Sequence, residues 1–261
     1  MVSKVLKILS IFFWIFCGTL SYSMFHENER VIVFDVGQGD SILIQKGDFE
    51  ILIDGGEDNT LLYKLGKYMN WNDRVVDIVV ITHMHADHYM GIKYLMERYE
   101  VGLFVLSANC TDLCAYFRNY NHIDVRMGDI LVYKDIELQI LWPQEGYFDR
   151  NINNDSIVIL LEWLEKRLLF TGDAEVEVEH LLLEYYGEKF LSNIDVLKAG
   201  HHCSRTASSY GFITTTTPNI IICSCGENNR FGHPHKEVID LFETLNLEYI
   251  LTWEYGDFIV E

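Results

Sequence analysis

The chain has 261 residues, of which 49% are hydrophobic, and a net charge of −19. That apolar content suffices for one large core, and three prolines with no low-complexity run mark no linker, so a single domain is expected. So acidic a surface repels nucleic-acid phosphates at long range and counts against a tight, non-specific DNA binder; it does not exclude a nuclease, because metal ions in a site neutralise phosphate locally.

Residues 1–23 stand apart. Lys4 and Lys7 precede an apolar run over 8–17, and Gly18, Thr19 and Ser21-Tyr22-Ser23 follow. This order describes a secretory signal peptide cleaved at about Ser23/Met24, leaving residues 24–261 as a secreted or periplasmic domain. The run is shorter than the ~20 residues of a membrane span, and an uncleaved anchor is the alternative. Without its two lysines the remainder keeps 18 basic residues against 39 acidic ones, a net −21. Beyond Cys17, five cysteines remain: Cys110, Cys114, Cys203, Cys223 and Cys225. An odd number leaves at least one thiol unpaired within the chain. Cys110 and Cys114 could close a local bridge, while Cys223 and Cys225 read as small buried apolar residues on one face of a strand.

In chain order, strands are predicted over 31–35, 41–45 and 49–53, the first two joined by Gly37-Gln38-Gly39-Asp40 and the third ending at Asp54-Gly55-Gly56. Helical spacing marks 60–69. A β-branched run over 77–81 is a buried strand, followed by a metal-loop candidate and a helix over 91–99. Next come a strand over 102–106 and a helix over 111–119 with Thr111 as its cap. Strands follow at 130–133, 137–141, 156–161 and 167–171, then a helix over 175–186. Strands at 194–197 and 220–223, a helix over 236–245, and strands at 249–252 and 257–260 complete the chain. So many strands in one sheet would curl or split. Two packed mixed sheets flanked by helices, an αββα sandwich of the α/β class, is the economical solution.

The chemistry collects where strands end. After 77–81 come His83, His85, Asp87 and His88. Residues two apart in an extended loop point the same way, so His83 and His85 can grip one metal, while Asp87 and His88 point elsewhere as the chain turns into a helix. After 167–170 comes Asp173, a carboxylate able to bridge two metals, and after 194–197 come His201 and His202. Imidazole with carboxylate suits Zn²⁺, with Mn²⁺ possible. Two such divalent ions generate hydroxide from water at neutral pH, so no Ser or Cys nucleophile is required. Adjacent residues of an extended segment point apart, so His201 and His202 are expected to divide their roles.

The pattern His83-Met84-His85-Ala86-Asp87-His88 resembles the metallo-β-lactamase superfamily. More narrowly, Phe34-Asp35-Val36-Gly37-Gln38-Gly39-Asp40-Ser41, Leu52-Ile53-Asp54-Gly55-Gly56, Thr171-Gly172-Asp173-Ala174-Glu175, Lys198 with His201-His202, and Asn228-Asn229-Arg230-Phe231-Gly232-His233-Pro234-His235 resemble the C-terminal metallo-hydrolase domain of the ComEC competence proteins, here as a free-standing exported form. The resemblance implies the same sandwich and a dinuclear, metal-dependent phosphodiesterase, in those proteins thought to degrade a DNA strand. It implies metal ligands His83, His85, Asp87, His88, Asp173 and His202, with Asp54 shaping the loop. It also implies a catalytic group of Asp87, His201, Glu175 and His233, and substrate contacts from Gln38, Asp40, Lys198, Asn229 and Arg230.

Some positions carry two readings. Lys198 either neutralises a phosphate or is a surface lysine. Glu175 either touches the site or is a helix-start acid favoured by the dipole. The resemblance places His233 at the pocket rim, while His235 reads as an N-terminal helix residue. Cys203 could join the coordination. Departures from the family are Cys203 in place of a glycine, and Tyr89-Met90-Gly91 in place of Ile-Gly-Gly. The middle metal-binding histidine is missing: His122 comes too early, and Asn153-Asn154-Asp155-Ser156 occupies its region. The expected activity is phosphodiester cleavage, with DNA as the first substrate class. A hydrolase of a small or cell-surface ester, such as a phosphocholine ester or a lactam, is the alternative, and a non-catalytic metal-binding module is the third reading.

Overall fold

A computed structural model gives the fold, with residues 28–110, 112–147 and 149–261 described. The signal segment and the Thr111 cap lie outside the described residues. One sheet is built from β1 (Glu29–Val33), β2 (Ile42–Lys46), β3 (Phe49–Ile53), β4 (Val75–Ile81), β5 (Glu100–Ser107) and β6 (His122–Val125), with the last strand, β14 (Phe258–Val260), on the outer side of β1. The second holds β7 (Ile130–Tyr133), β8 (Ile136–Trp142), β9 (Val158–Trp163), β10 (Lys166–Phe170), β11 (Val196–Lys198), β12 (Ile220–Cys223) and β13 (Glu248–Leu251), in the spatial order 13-12-11-10-9-8-7. In each sheet an antiparallel half passes into a parallel half: β3, β4, β5 and β6 run parallel, as do β10, β11, β12 and β13.

Side-chain alternation explains the layers. Ile44, Ile53, Val80 and Val105 of the first sheet meet Leu138, Ile159, Phe170 and Ile222 of the second in the core between them. The residues between these turn outward. Leu43, Leu52, Val79 and Phe104 pack under α1 (Thr60–Tyr68) and α2 (Ala86–Leu95). Leu160, Leu169, Leu197 and Ile221 pack under α3 (Val176–Leu191), α4 (Tyr210–Thr216) and α5 (Lys236–Thr244). Both faces of the central strands are therefore buried, which is why runs such as Ile78-Val79-Val80-Ile81 are continuously apolar. This is the expected αββα sandwich. Among the described residues no helix is long and apolar enough to cross a membrane.

The structure departs from the sequence expectations at several places, among them a short helix over Thr252–Tyr255 where the strand expected over 249–252 was to end. The helix expected over 91–99 begins five residues earlier, at Ala86, so Asp87 and His88 belong to its first turn. The helix expected over 111–119 is instead two 3₁₀ turns, Asp112–Cys114 and Phe117–Asn119, next to a Cys110–Cys114 disulfide. Cys114 and Phe117, three apart, are the side chains these turns bury, which matches the 3₁₀ repeat. Strand β6 carried no sequence signal because it is an edge strand with one neighbour and a partly exposed face. Helix α4, in a threonine-rich stretch, forms because Ser209 caps it and Phe212 and Ile213 are buried, a tertiary override of weak propensity.

Parallel pairing brings the C-terminal ends of β3 and β4 to one edge, opposite those of β10, β11 and β12. Bonds join the sheets there, among them Ile157 N–H donating to Thr82 O at 3.0 Å and Ser224 Oγ to Gly39 O at 2.7 Å. Every candidate ligand lies along this edge, on a loop or, for Asp87 and His88, in the first turn of α2.

Candidate metal centre

Asp54 organises the first loop. It follows β3 with φ 58° and is fully buried. Its Oδ1 accepts from Thr82 N–H at 2.8 Å, and its Oδ2 from Thr82 Oγ1 at 2.6 Å. Oδ2 also lies 2.7 Å from His88 Nδ1. Burial pushes the Asp54 carboxyl up while His88 pulls the other way. Helix α2 can reach this turn because residue 91 is glycine: a Cβ there would lie 1.8 Å from Gly55 O. His85, extended at φ −93° and ψ 149°, is the last residue before α2, so His83 and His85 leave an extended segment. Asp87 and His88 diverge as helical neighbours.

The carboxylate of Asp173 lies at the middle. Its N–H donates to Ser156 Oγ at 3.0 Å, and that hydroxyl lies 3.3 Å from His83 Nδ1. Its Oδ1 faces His88 Nε2 and His202 Nε2, each at 3.3 Å. Its Oδ2 faces His83 Nε2 at 3.7 Å and His201 Nε2 at 3.8 Å. His202 Nε2 is also 3.4 Å from Asp87 Oδ2, and its Nδ1 is held by Ser224 O at 2.7 Å. His85 Nδ1 lies 3.1 Å from His83 Nε2, on the open side.

These residues fit metal ions. Among the described residues His88 Nε2, His202 Nε2 and Asp173 Oδ1 are buried polar atoms with no hydrogen-bond partner, and all three converge. Three groups place ligand atoms within 4.8 Å of one another around this point: His83, His88 and Asp173; Asp87, His88 and His202; Asp40, Asp173 and His202. A tetrahedral site with bonds of about 2.0–2.1 Å has edges of roughly 3.3–3.4 Å, the spacing seen from Asp173 to His88 and His202 and from His202 to Asp87. Asp54 and Asp40 form a fourth such group with His88, but Asp54 is already engaged by Thr82.

The electrostatics follow from packing these groups together without solvent. Burial opposes charge on His88 and His202, yet the carboxylates beside them, Asp173 foremost, hold both imidazoles well above their usual range. His83 is driven well below it by burial and then by His88. For Asp173 burial is outweighed by the two imidazoles, which hold its carboxyl well below the usual range.

The other expected residues divide. His201 is partly exposed, with Nδ1 3.1 Å from Glu175 Oε1, and Glu175 also accepts from Asn153 Nδ2 at 2.9 Å. Glu175 thus starts α3 and reaches the site at once. Arg230 is exposed at the rim, its guanidinium 4.7 Å over the Phe231 ring and 3.9 Å from Glu57. His233 is nearly buried, with its ring centre 5.3 Å from that of His201. Burial, then His202 and His201, lowers its imidazole to about 3. His235 is the cap residue of α5, as expected. His85, Asp87, Asp173, His201, Arg230 and Phe231 line a cavity of about 300 Å³. A second, mostly apolar cavity of about 360 Å³ has His83, Met84 and Leu113 in its lining.

Four expectations need correction. Lys198 is neither a surface lysine nor open to substrate: it is fully buried, 2.5 Å from Asp40 Oδ2, and donates to Gly172 O at 3.0 Å. Asp40, its partner, is equally buried, because β11 faces the loop after β1 across the joint between the sheets. Asn229 and Gln38 are half-buried and keep the expectation of a substrate contact: Asn229 ties its own loop, accepting from Phe231 and His233 N–H, and Gln38 accepts from Gly226 N–H at 3.4 Å. Cys203 cannot ligate a metal as a thiolate, because it is bonded to Cys223, which is therefore not simply a buried apolar residue; among the described residues Cys225 is the free thiol. His201 and His202 are not extended. Both adopt left-handed backbone in a turn over Gly200–Cys203, and that turn separates their rings. His122, at the start of β6, bonds to Tyr120 O and lies outside the site. Thr82, Ser156 and Ser224, which hold the ligands in place, were not found from sequence. The sole signal was Thr82 standing beside His83 and Ser156 closing the Asn-Asn-Asp-Ser run.

Comparison with known proteins accords with this geometry. Residues 34–210 match the family described as the metallo-beta-lactamase superfamily. ComE operon protein 3 of Bacillus subtilis is 27% identical over 92% of this chain, and Recombination protein 2 of Haemophilus influenzae is 29% identical over 81%. The chain spans 34% and 26% of their lengths. Among solved structures, the metallo-beta-lactamase fold protein YhfI from Bacillus subtilis has a TM-score of 0.61 at 13% identity, covering 89% of this chain and 99% of that one, a likeness of fold. With the match running across most of the chain and through the loops of both sheets, the protein belongs to the metallo-beta-lactamase superfamily.

Proposed function

We propose that the protein is a metal-dependent hydrolase with two divalent ions, zinc by choice of donors and manganese as the substitute, that cleaves phosphodiester bonds, with a DNA strand as the first substrate class. The observation that carries this reading is the division of Asp173: one carboxylate oxygen faces His88 and His202, the other His83 and His201. His83, His85 and Asp173 would hold one ion, and Asp87, His88, His202 and Asp173 the other. When bound, such a pair supplies a water nucleophile at neutral pH and stabilises the attacking and leaving oxygens. The chain's own residues do the rest. Glu175 and Thr206, each 3.1 Å from His201 Nδ1, orient that imidazole. Its Nε2 is left toward the cavity, where it can hold a proton for a leaving oxygen. Arg230 offers a planar guanidinium to a phosphate at the rim.

The name of Recombination protein 2 supports DNA as the substrate class. A second reading, a small or cell-surface ester, has its own support: a strongly acidic chain and a cavity of about 300 Å³ at the site. Export is part of the proposal, and two disulfides favour an oxidising compartment. The test assays purified protein with Zn²⁺ and with Mn²⁺ on linear single- and double-stranded DNA, bis-p-nitrophenyl phosphate, a phosphocholine ester and a chromogenic lactam. Cleavage of DNA and the diester is expected, with Asp173→Asn at least a hundredfold slower and its bound metal falling from two toward one. Turnover of small esters alone selects the second reading, and metal binding with no turnover anywhere refutes both.

A further inference from the structure

The turn carrying His202 is held in a conformation its residues disfavour. His201, His202 and Cys203 have φ of 47°, 56° and 61°. Left-handed backbone crowds the Cβ of any L residue, and glycine alone takes it freely. Three such residues in a row require outside restraint, and the structure shows where it comes from. The Cys203 sulfur is bonded to that of Cys223, the last residue of β12. The next residue, Ser224, holds His202 Nδ1 through its carbonyl at 2.7 Å. The turn is therefore clamped at two consecutive positions of one strand end, once by a covalent bond and once through the His202 ring. Weaker restraints act on either side: His201 N–H donates to Gly172 O at 3.2 Å and His235 N–H to Cys203 O at 3.0 Å.

We propose that the Cys203–Cys223 disulfide is a positioning element of the metal centre: it fixes the left-handed turn so that His202 Nε2 faces Asp87 and Asp173, and the reduced chain holds the ion on the His202 side far more weakly. This rests on the metal reading above. The link sits one residue from His202, and the group it steadies must hold its donor atom to within a fraction of an ångström of the productive position. Cys203 and Cys223 are fully buried, so the oxidation state is set as the protein folds. The free thiol two residues on, Cys225, is buried too, and burial pushes it up to about 11, so it stays protonated and does not attack the bond.

The test titrates the full chain with Zn²⁺ against a chromogenic chelator and melts the metal-free proteins. Cys203→Ala/Cys223→Ala is expected to bind one ion as the wild type does and the second at least tenfold more weakly. Cys203→Gly/Cys223→Ala is expected to return to within threefold of wild type, because glycine adopts the turn unaided. A disulfide that merely stabilises the fold would lower the melting temperature of both variants alike and leave both zinc affinities within twofold of wild type, which overturns the proposal. A second measurement leaves Cys203 and Cys223 in place. In a Cys110→Ser/Cys114→Ser chain, which lacks the other disulfide, a phosphine with water reduces the Cys203–Cys223 bond in mild denaturant, giving two thiols and the phosphine oxide. After the denaturant is removed, one zinc should pass to excess chelator at least tenfold faster than from the oxidised protein, and equal rates overturn the proposal. A wild-type chain that binds no zinc overturns the metal reading itself.

Discussion

Replacing Asp54 by Asn probes how the centre is built, because Asp54 touches no cavity yet fixes both the loop and one imidazole. Its two oxygens serve three donors: Thr82 N–H at 2.8 Å, Thr82 Oγ1 at 2.6 Å and His88 Nδ1 at 2.7 Å. Asparagine tolerates the left-handed backbone at φ 58°, so the turn survives. The amide has one acceptor, and its NH₂ must face either Thr82 N–H or His88. Facing His88, it favours the tautomer with the hydrogen on Nε2, the atom now aimed at Asp173, and that tautomer cannot ligate. Facing Thr82, it leaves a buried donor unpaired, at about 1–3 kcal/mol. Losing the partner that orients a ligating histidine weakens metal binding about 10–100-fold. At about 1.4 kcal/mol per tenfold, that is roughly 1.4–2.8 kcal/mol, within the range for the hydrogen bond itself. Zinc competition titration of Asp54→Asn should show that loss at one ion. Affinity within twofold of wild type would mean that Asp54 does not orient His88, and the reasoning fails.

The histidine pair should separate by assay: His202→Ala lowers zinc content, whereas His201→Ala keeps both ions and slows turnover, and the opposite pattern reverses their roles. Lys198→Met takes the buried ammonium from Asp40 Oδ2, leaving the His202 imidazole 3.4 Å from Oδ1, and should destabilise the fold by about 3–5 kcal/mol. That is a drop of roughly 6–20 °C in melting temperature; a tenfold higher KM with an unchanged melting temperature would instead put Lys198 on the substrate. Burial, opposed by the Gln45 hydrogen bond, raises the Glu50 carboxyl from 4.5 to about 7. The folded state then binds that proton more tightly than the unfolded one, so stability is lost as pH rises from about 4.5 through 7. Glu50→Gln should therefore gain melting temperature over wild type at pH 8 and lose that advantage at pH 5, and an equal difference at the two pH values refutes the assignment.

The αββα sandwich was legible in the sequence because its central strands are buried on both faces. A segment such as Ile78-Val79-Val80-Ile81 must then be apolar throughout, and that shows without knowing its neighbours. The cluster His83, His85, Asp87 and His88 was legible for the same local reason: four donors within six residues need a loop at a strand end to be useful. Helix α4 and edge strand β6 were not legible, since one is held by burial of two side chains and the other by a single neighbouring strand.

What tertiary structure alone decided is which distant residues meet. Lys198 and Asp40 are 158 positions apart, and nothing near either residue says that the other neutralises it. Cys203 was open to metal or thiol chemistry until the end of β12 brought Cys223 beside it. His201 and His202 were expected to part as neighbours in an extended segment, yet they part because a clamped left-handed turn aims one ring inward and leaves the other partly in solvent. Local pattern reports whether a residue is buried and in what element. Partners across a sheet depend on strand order and register, which are settled by the packing of the whole chain.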